Sequence, residues 1–336
     1  MIKKSYIIIL ISISWGQWYQ LNYDLIARDY YVSYPEDIVS STPAPLIINM
    51  HGYGSGALSQ QFYSEMDQFA HAQGIAVVYP QGEVNNWGST SWNIGTFWDQ
   101  SNLDDVGFIN NMIDKINQDF DIDLDRVYVC GMSNGGYMAY ELACELQNKI
   151  TAFGSVTGNF MLNSNQSCEF TREIPIIHFH GTADSVVDYY PPTFDGALTV
   201  SESINFWSQY NEFDEESMEE LNNDVEIYKY YSNESITEFV HYKVYGGEHD
   251  WFTNNWGFHA SEELINFFLN YRLSDFLNEY LLGDVNQDDA VNILDIVLLV
   301  QIILEDAYLE QGDINEDQAI SILDIIVLIN LILLEN

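Results

Sequence analysis

One serine stands where a serine can act as a nucleophile. The apolar, β-rich run Val127-Tyr128-Val129-Cys130 leads into Gly131-Met132-Ser133-Asn134-Gly135, followed by Gly136. The run has the character of a strand buried on both faces. Met138, Leu142 and Leu146 then recur every four residues, with Ala139 and Ala143 alongside, which is helical spacing. Ser133 therefore falls on a tight strand-to-helix turn, the setting that a G-x-S-x-G nucleophile elbow requires. A strained turn with closely packed chain around it has no room for a Cβ, hence the glycines. The helix N-terminus favours negative charge developing beside the serine. Taken alone, the pentapeptide reads as a glycine-rich turn with an N-capping serine. The strand before it and the helix after it favour the nucleophile.

A serine hydroxyl needs a base, and the base an orienting acid. His178, His180, His241, His249 and His259 follow Ser133. His249 lies in Gly246-Gly247-Glu248-His249-Asp250-Trp251, a flexible turn after an apolar strand, which suits a ring that must swing between serine and leaving group. His241 sits inside a strand and reads as structural; His259, near the start of the last helix of this region, is the second choice. For the acid, Asp184 follows the strand Ile174–Phe179, at the strand end where open α/β sheets place working groups. Asp188 is its rival, and a solvated loop carboxylate is the plainer reading of either. Pro45–Met50 runs into His51-Gly52-Tyr53-Gly54. The Tyr53 amide there and the Asn134 amide, next after the serine, would form an oxyanion hole. By itself the glycine stretch is a simple turn.

A second chemistry sits near the C-terminus. Asp284, Asn286, Asp288, Ala290, Asn292 and Asp295 are echoed 29 residues later by Asp313, Asn315, Asp317, Ala319, Ser321 and Asp324. Each set puts oxygen donors at loop positions one, three, five, nine and twelve, and a backbone carbonyl at seven, which is an EF-hand-like calcium scheme. Asp stands for Glu at position twelve, and the glycine at six is missing. Each loop runs into an apolar helix. The duplicated loop-helix resembles a type I dockerin, which implies calcium as cofactor and a cohesin-type scaffold partner. The pairs Ile293-Leu294 and Ile322-Leu323, at the partner-choosing positions, are apolar where cellulosomal dockerins often carry polar residues.

The elements that must position these groups alternate. Strands are expected at Arg28–Pro35, Pro45–Met50, Ile75–Tyr79, Val127–Cys130, Phe153–Thr157, Ile174–Phe179, Val225–Tyr231 and Phe239–Tyr245. Helices are expected at Phe62–Gln73, Asp104–Phe120, after Ser133, at Ser201–Tyr210 and at Ser261–Tyr271. This is the pattern of a mostly parallel sheet with helices on both faces, followed by a small all-α domain. An aromatic loop at Glu83–Gln100 carries Trp87, Trp92 and Trp98, suited to stacking on a ring or simply to filling a core.

Lys3 and Lys4 before the apolar stretch Tyr6–Ile13 read as a signal peptide over residues 1–16 and hence a secreted, extracellular protein. Residues 17–272 then form the catalytic domain, 273–282 a linker and 283–336 the duplicated domain. With 51 acidic and 10 basic residues the net charge is −41, which excludes nucleic acid and anionic membrane as partners. Cys130 reads as a core thiol; Cys144 and Cys168 are free to pair in an oxidising compartment.

From about Tyr30 to Tyr271 the chain resembles the secreted polyhydroxybutyrate depolymerase and feruloyl esterase-like α/β-hydrolases. The stretches that carry the likeness are PLIINMHGYGSGA, VVYPQG, SWNIG, LDDVGFINNMID, DLDRVYVCGMSNGGYMAYELACEL, IPIIHFHGTADSVVDY and VYGGEHDW. The resemblance implies a Ser133–Asp184–His249 triad that hydrolyses a carboxylic ester through an acyl-enzyme, with no cofactor for that step. It also implies substrate contacts at Trp92 and Asn93 and a Cys144–Cys168 disulfide. One departure is Phe252, where the family has proline. The expected substrate is a feruloyl or acetyl ester on a polysaccharide; a polyhydroxybutyrate polyester is the alternative. A non-catalytic binding protein on the same fold is the reading from another class.

Overall fold

The computed structural model describes residues 15–35, 43–96, 103–161, 168, 171–193, 196–276, 282–286, 288, 290–305, 307–315, 317 and 319–334. Residues 1–14 of the expected signal peptide, Trp98, and half of the expected linker lie outside them. The chain divides into two compact units between Leu273 and Ser274.

The first unit is built on a ten-stranded sheet. In chain order its strands are β1 (Trp15–Tyr23), β2 (Ile26–Tyr34), β3 (Ala44–Met50), β4 (Ala76–Pro80), β5 (Ile122–Met132), β6 (Ala152–Val156), β7 (Ile176–Gly181), β8 (Glu215–Asn222), β9 (Val225–Tyr231) and β10 (Glu238–Val244). Their spatial order is β1-β2-β4-β3-β5-β6-β7-β10-β9-β8. From β4 through β10 the neighbours run parallel. Antiparallel pairs close both sides. Strands β3, β4, β6 and β7 are buried along their whole length, which explains why they are mostly apolar. A parallel sheet covered on both faces leaves no polar side.

Two strands depart from the sequence expectation. β1, which opens with Trp15 and Gly16 opposite Tyr34 and Ser33, is not among the expected strands. β8 is exposed along nearly all its length and rich in glutamate, so it carries no burial pattern to read.

The helices are α1 (Ala57–Ser64), α2 (Met66–Ala72), α3 (Asp105–Asp119), α4 (Asn134–Glu145), α5 (Val200–Tyr210) and α6 (Ala260–Phe268). The single helix expected at Phe62–Gln73 is instead two, because Glu65 turns left-handed (φ 50°) between them. α3 fits its expectation through period: Phe108, Ile109, Met112, Ile113 and Ile116 are all buried on one face. Burying each such side chain contributes about 1.5–3 kcal/mol. Asp104 caps its start by accepting the Gly107 amide.

The second unit holds α7 (Ile293–Leu304) and α8 (Ile322–Leu334). Its core is small: Val285, Leu299, Ile314 and Leu328 are buried, with partly buried aliphatics around them. No helix among the described residues is long and apolar enough to cross a membrane.

Candidate active site

Ser133 sits between β5 and α4 with φ 55° and ψ −120°, a conformation that costs a non-glycine residue free energy and clusters at functional sites. Close packing enforces it. A Cβ on Gly131 would lie 2.4 Å from the Gly135 carbonyl, and one on Gly135 would lie 2.4 Å from the Met50 oxygen. The Ser133 amide donates to Val156 O (2.8 Å) and its carbonyl accepts from the Tyr137 amide (2.9 Å). The side chain makes no capping bond to the helix it precedes. That removes the N-cap reading: the hydroxyl is not spent on α4.

The acid and the base come from the ends of the neighbouring parallel strands. Asp184 follows β7, and its Oδ1 accepts the amides of Val186 (2.8 Å) and Val187 (2.9 Å). Its Oδ2 lies 2.7 Å from His249 Nδ1 and 3.4 Å from His180 Nε2. Burial pushes the Asp184 carboxyl up, but the bonds to His180 and His249, the His249 charge and the Val187 amide outweigh it. They hold the carboxyl well below its ordinary value. The acid is therefore ionised and fixed, as an orienting group must be. His249 follows β10 and is partly exposed. Among the described residues no hydrogen bond joins its ring to the Ser133 hydroxyl. That contact is the one a substrate complex has to close, and such bonds are often loose before substrate arrives.

The His249 turn is braced against α1. Asp250 Oδ1 accepts the Tyr63 hydroxyl (2.5 Å) and the Trp251 amide (2.8 Å). The buried Trp251 indole donates to Ser261 Oγ (2.9 Å), and Ser261 Oγ donates to Ser64 O. Phe252 adopts φ 56°. Proline is fixed near −65°, so a proline at 252 is incompatible with this turn, which explains the departure from the family pattern.

The glycine turn at 51–54 lies against the serine: a Cβ on Gly52 would be 3.4 Å from Ser133 Cβ and 3.9 Å from its Oγ. Tyr53, whose amide is expected to share an oxyanion with that of Asn134, follows Gly52 directly in the chain. The Asn134 side chain has a partner of its own. It accepts from the Trp92 amide (2.7 Å) and donates to the Trp92 carbonyl (3.1 Å). The Trp92 indole donates to His51 O (2.9 Å), and His51 Nε2 accepts the Gly82 amide (2.9 Å). Burial pulls His51 down to about 4 against the pull of the Gly52 carbonyl, so its ring is neutral. This relay fixes the turn beneath the serine. Sequence reasoning missed it, since His51 and Trp92 act here through burial, which no motif announces.

The relay corrects one expectation. Trp92 is fully buried and offers no face to a substrate; it is a support. Asn93 is likewise engaged within the chain, donating from its amide to Asp105 (2.7 Å) and from its side chain to Leu103 O (2.9 Å). The other histidines also have structural duties. His259 caps α6 by accepting the Ser261 amide, His241 meets the Tyr189 hydroxyl (2.9 Å), and His178 meets His180 (3.3 Å). Asp188 is exposed. Cys144 and Cys168 are bonded, and Cys130 is a buried free thiol.

In the second unit the two loops repeat much of each other's hydrogen bonding. Asp288 N donates to Asp284 Oδ1 and Asn286 Oδ1; Asp317 N donates to Asp313 Oδ1 and Asn315 Oδ1. Ala290 and Ala319 amides donate to Asp288 and Asp317. Asp295 and Asp324 are fully buried and accept loop amides, from Asn286 and Asn292 in one copy and from Ile314, Asn315 and Ser321 in the other. Among the described residues no three acidic, histidine or cysteine side chains gather at metal-binding spacing; the carboxylates bond to loop amides. The donor set is nonetheless all oxygen, as calcium prefers. No lysine, arginine or histidine follows Arg272, so the buried carboxylates have no cationic side chain in their own unit. A divalent cation fits that charge.

Comparison with known proteins is consistent with both units. The phospholipase/carboxylesterase family matches residues 38–227, more than half of the chain. The dockerin type I domain matches 282–333. A bifunctional acetylxylan esterase/xylanase of Neocallimastix patriciarum is 30% identical over 162 residues, 48% of this chain and 22% of that protein. Feruloyl esterase B of Piromyces equi is 29% identical over 193 residues, 56% of this chain and 34% of that protein. The aligned region thus spans about a third or less of either relative. An acetyl xylan esterase structure from Aspergillus awamori shares the fold, with TM-score 0.55 and 14% identity, over 75% of this chain and 98% of that one.

Proposed function

The chain belongs to the phospholipase/carboxylesterase family and carries a type I dockerin domain, and from that premise we propose that it is a secreted serine esterase acting on feruloyl or acetyl esters of polysaccharide. The observations that support this reading are an uncapped Ser133 hydroxyl on a left-handed elbow and a strand-end Asp184–His249 pair at 2.7 Å. Ser133 attacks the ester carbonyl while His249 takes its proton. Asp184 keeps the ring oriented and balances its charge. The Tyr53 and Asn134 amides donate to the oxyanion. His249 returns the proton to the leaving alcohol, and water then hydrolyses the acyl-enzyme by the same steps in reverse.

The substrate class rests on the acetylxylan and feruloyl esterase relatives and on the dockerin. Residues Asp284, Asn286, Asp288, Ala290, Asn292 and Asp295, with their equivalents from Asp313 to Asp324, would hold two calcium ions and tie each loop to its helix. A cohesin-type scaffold is the proposed partner of this unit. The Cys144–Cys168 bond supports an extracellular location. Replacing Ser133 by Ala tests the reading: a p-nitrophenyl acyl ester should lose nearly all turnover while the circular dichroism stays unchanged. A folded variant that keeps its activity overturns it.

A further inference from the structure

Basic side chains are scarce, and among the described residues every other lysine and arginine is engaged by a carboxylate or, for Arg172, by backbone carbonyls. Lys243 on β10 forms no such ion pair; a hydrogen bond to the Tyr245 phenol and the more distant Glu226 charge are what act on it. Its ammonium lies 4.7 Å from the ring centroid of Tyr245 and 5.9 Å from those of Tyr189 and Tyr228. Glu226 stands opposite it in the β9–β10 ladder. That carboxylate is turned to two phenols, accepting from Tyr228 (2.6 Å) and Tyr245 (2.7 Å). Lys243 joins Tyr189, Tyr228, Asn205 and His241 around a small open concavity of about 190 Å³ between α5, β9 and β10. The Tyr189 hydroxyl is held by His241 Nε2 at 2.9 Å. Tyr189 also belongs to the segment whose Val186 and Val187 amides hold Asp184, so the concavity borders the acid side of the catalytic centre.

We propose that this concavity binds a carboxylated ring, with the carboxylate on Lys243 and the ring face on Tyr189 and Tyr228. The ammonium supplies a point charge with rotatable donors. Tyrosine faces give a sugar or aromatic ring a flat apolar surface, and Asn205 adds hydroxyl recognition. Elsewhere a net charge of −41 repels an anion, so an acidic ligand has a reason to settle here. Two sources share this chemistry: a uronosyl side group of a polysaccharide, and the free hydroxycinnamic acid that the proposed reaction would release. The site itself does not rest on ester hydrolysis, because binding needs no turnover.

The test is calorimetric titration of the full chain carrying Ser133→Ala with methyl glucuronide, methyl glucoside and ferulate. Saturable binding of the glucuronide but not the glucoside supports a uronosyl ligand. Saturable binding of ferulate alone supports the released acid, and binding of both supports the shared chemistry. Lys243→Gln should weaken whichever acid binds by about tenfold or more, as loss of a charge-assisted bond implies. Glu226→Gln should tighten it. In the background with Ser133 intact, Lys243→Gln should keep its p-nitrophenyl acetate turnover, which separates a lost ligand site from a lost enzyme. Binding of neither acid, equal binding of glucoside and glucuronide, or unchanged affinity in folded Lys243→Gln overturns the proposal.

Discussion

The two units treat buried charge in opposite ways. In the first, every buried carboxylate at the site has an internal partner: Asp105 meets Arg28 at 2.6 Å, and Asp184 meets His249 and His180. In the second, Asp295 and Asp324 are equally buried, yet only backbone amides meet them, and their unit has no basic side chain. Isolated buried charge is costly unless it is paired or coordinates a metal. The buried site carboxylates of the first unit are thus matched as folded, whereas in the second the proposed calcium ions would supply the missing positive charge.

The sharpest way to break this contrast is inside the first unit. Asp184→Asn removes the charge that orients His249 and should lower kcat on a p-nitrophenyl ester by about 10⁴-fold, with the fold intact. A fall of less than tenfold would mean that the carboxylate is not the orienting acid. Next in size is chelation. An ion bound only by the folded loops at a thousandfold its dissociation constant stabilises them by about 4 kcal/mol. Removing calcium should therefore abolish amide-exchange protection in α7 and α8 and leave that of β3–β7 as it was. Uniform loss across the chain would erase the distinction between the units.

Acid should separate them in a third way. Burial lowers His51 to about 4 and His241 to about 3, and lowers His178 as well. The unfolded chain then binds more protons than the folded one below about pH 6.5, so first-unit stability falls as pH drops from there towards 4. For His51 the effect is about 3 kcal/mol. The second unit has no histidine and should show no matching loss in that window. Denaturant melts followed separately for each unit across this range would check it. The smallest expected effect is Trp92→Phe, which deletes the bond to His51 O and should cost about 1–2 kcal/mol of first-unit stability. Because that bond supports the turn beside Ser133, kcat should fall modestly while KM holds.

Period and punctuation made much of this arrangement readable. The four-residue step after Ser133 and the two loop repeats are local signals, and each element needed only its own residues to be recognised. What stayed hidden depends on distance along the chain. Trp92 sits 41 residues from the His51 carbonyl it supports, and nothing in its surrounding sequence separates a supporting indole from one that faces substrate. β8 was missed because an exposed edge strand carries no alternation of burial. The break at Glu65 depends on one left-handed residue inside a helical pattern.

The most direct measurement is labelling of the full chain by a fluorophosphonate, with the modified residue located by mass spectrometry, in calcium and in a chelator. The account predicts one label, on Ser133, formed at the same rate in both conditions. A label elsewhere, no label, or a reaction at Ser133 that requires calcium would contradict it.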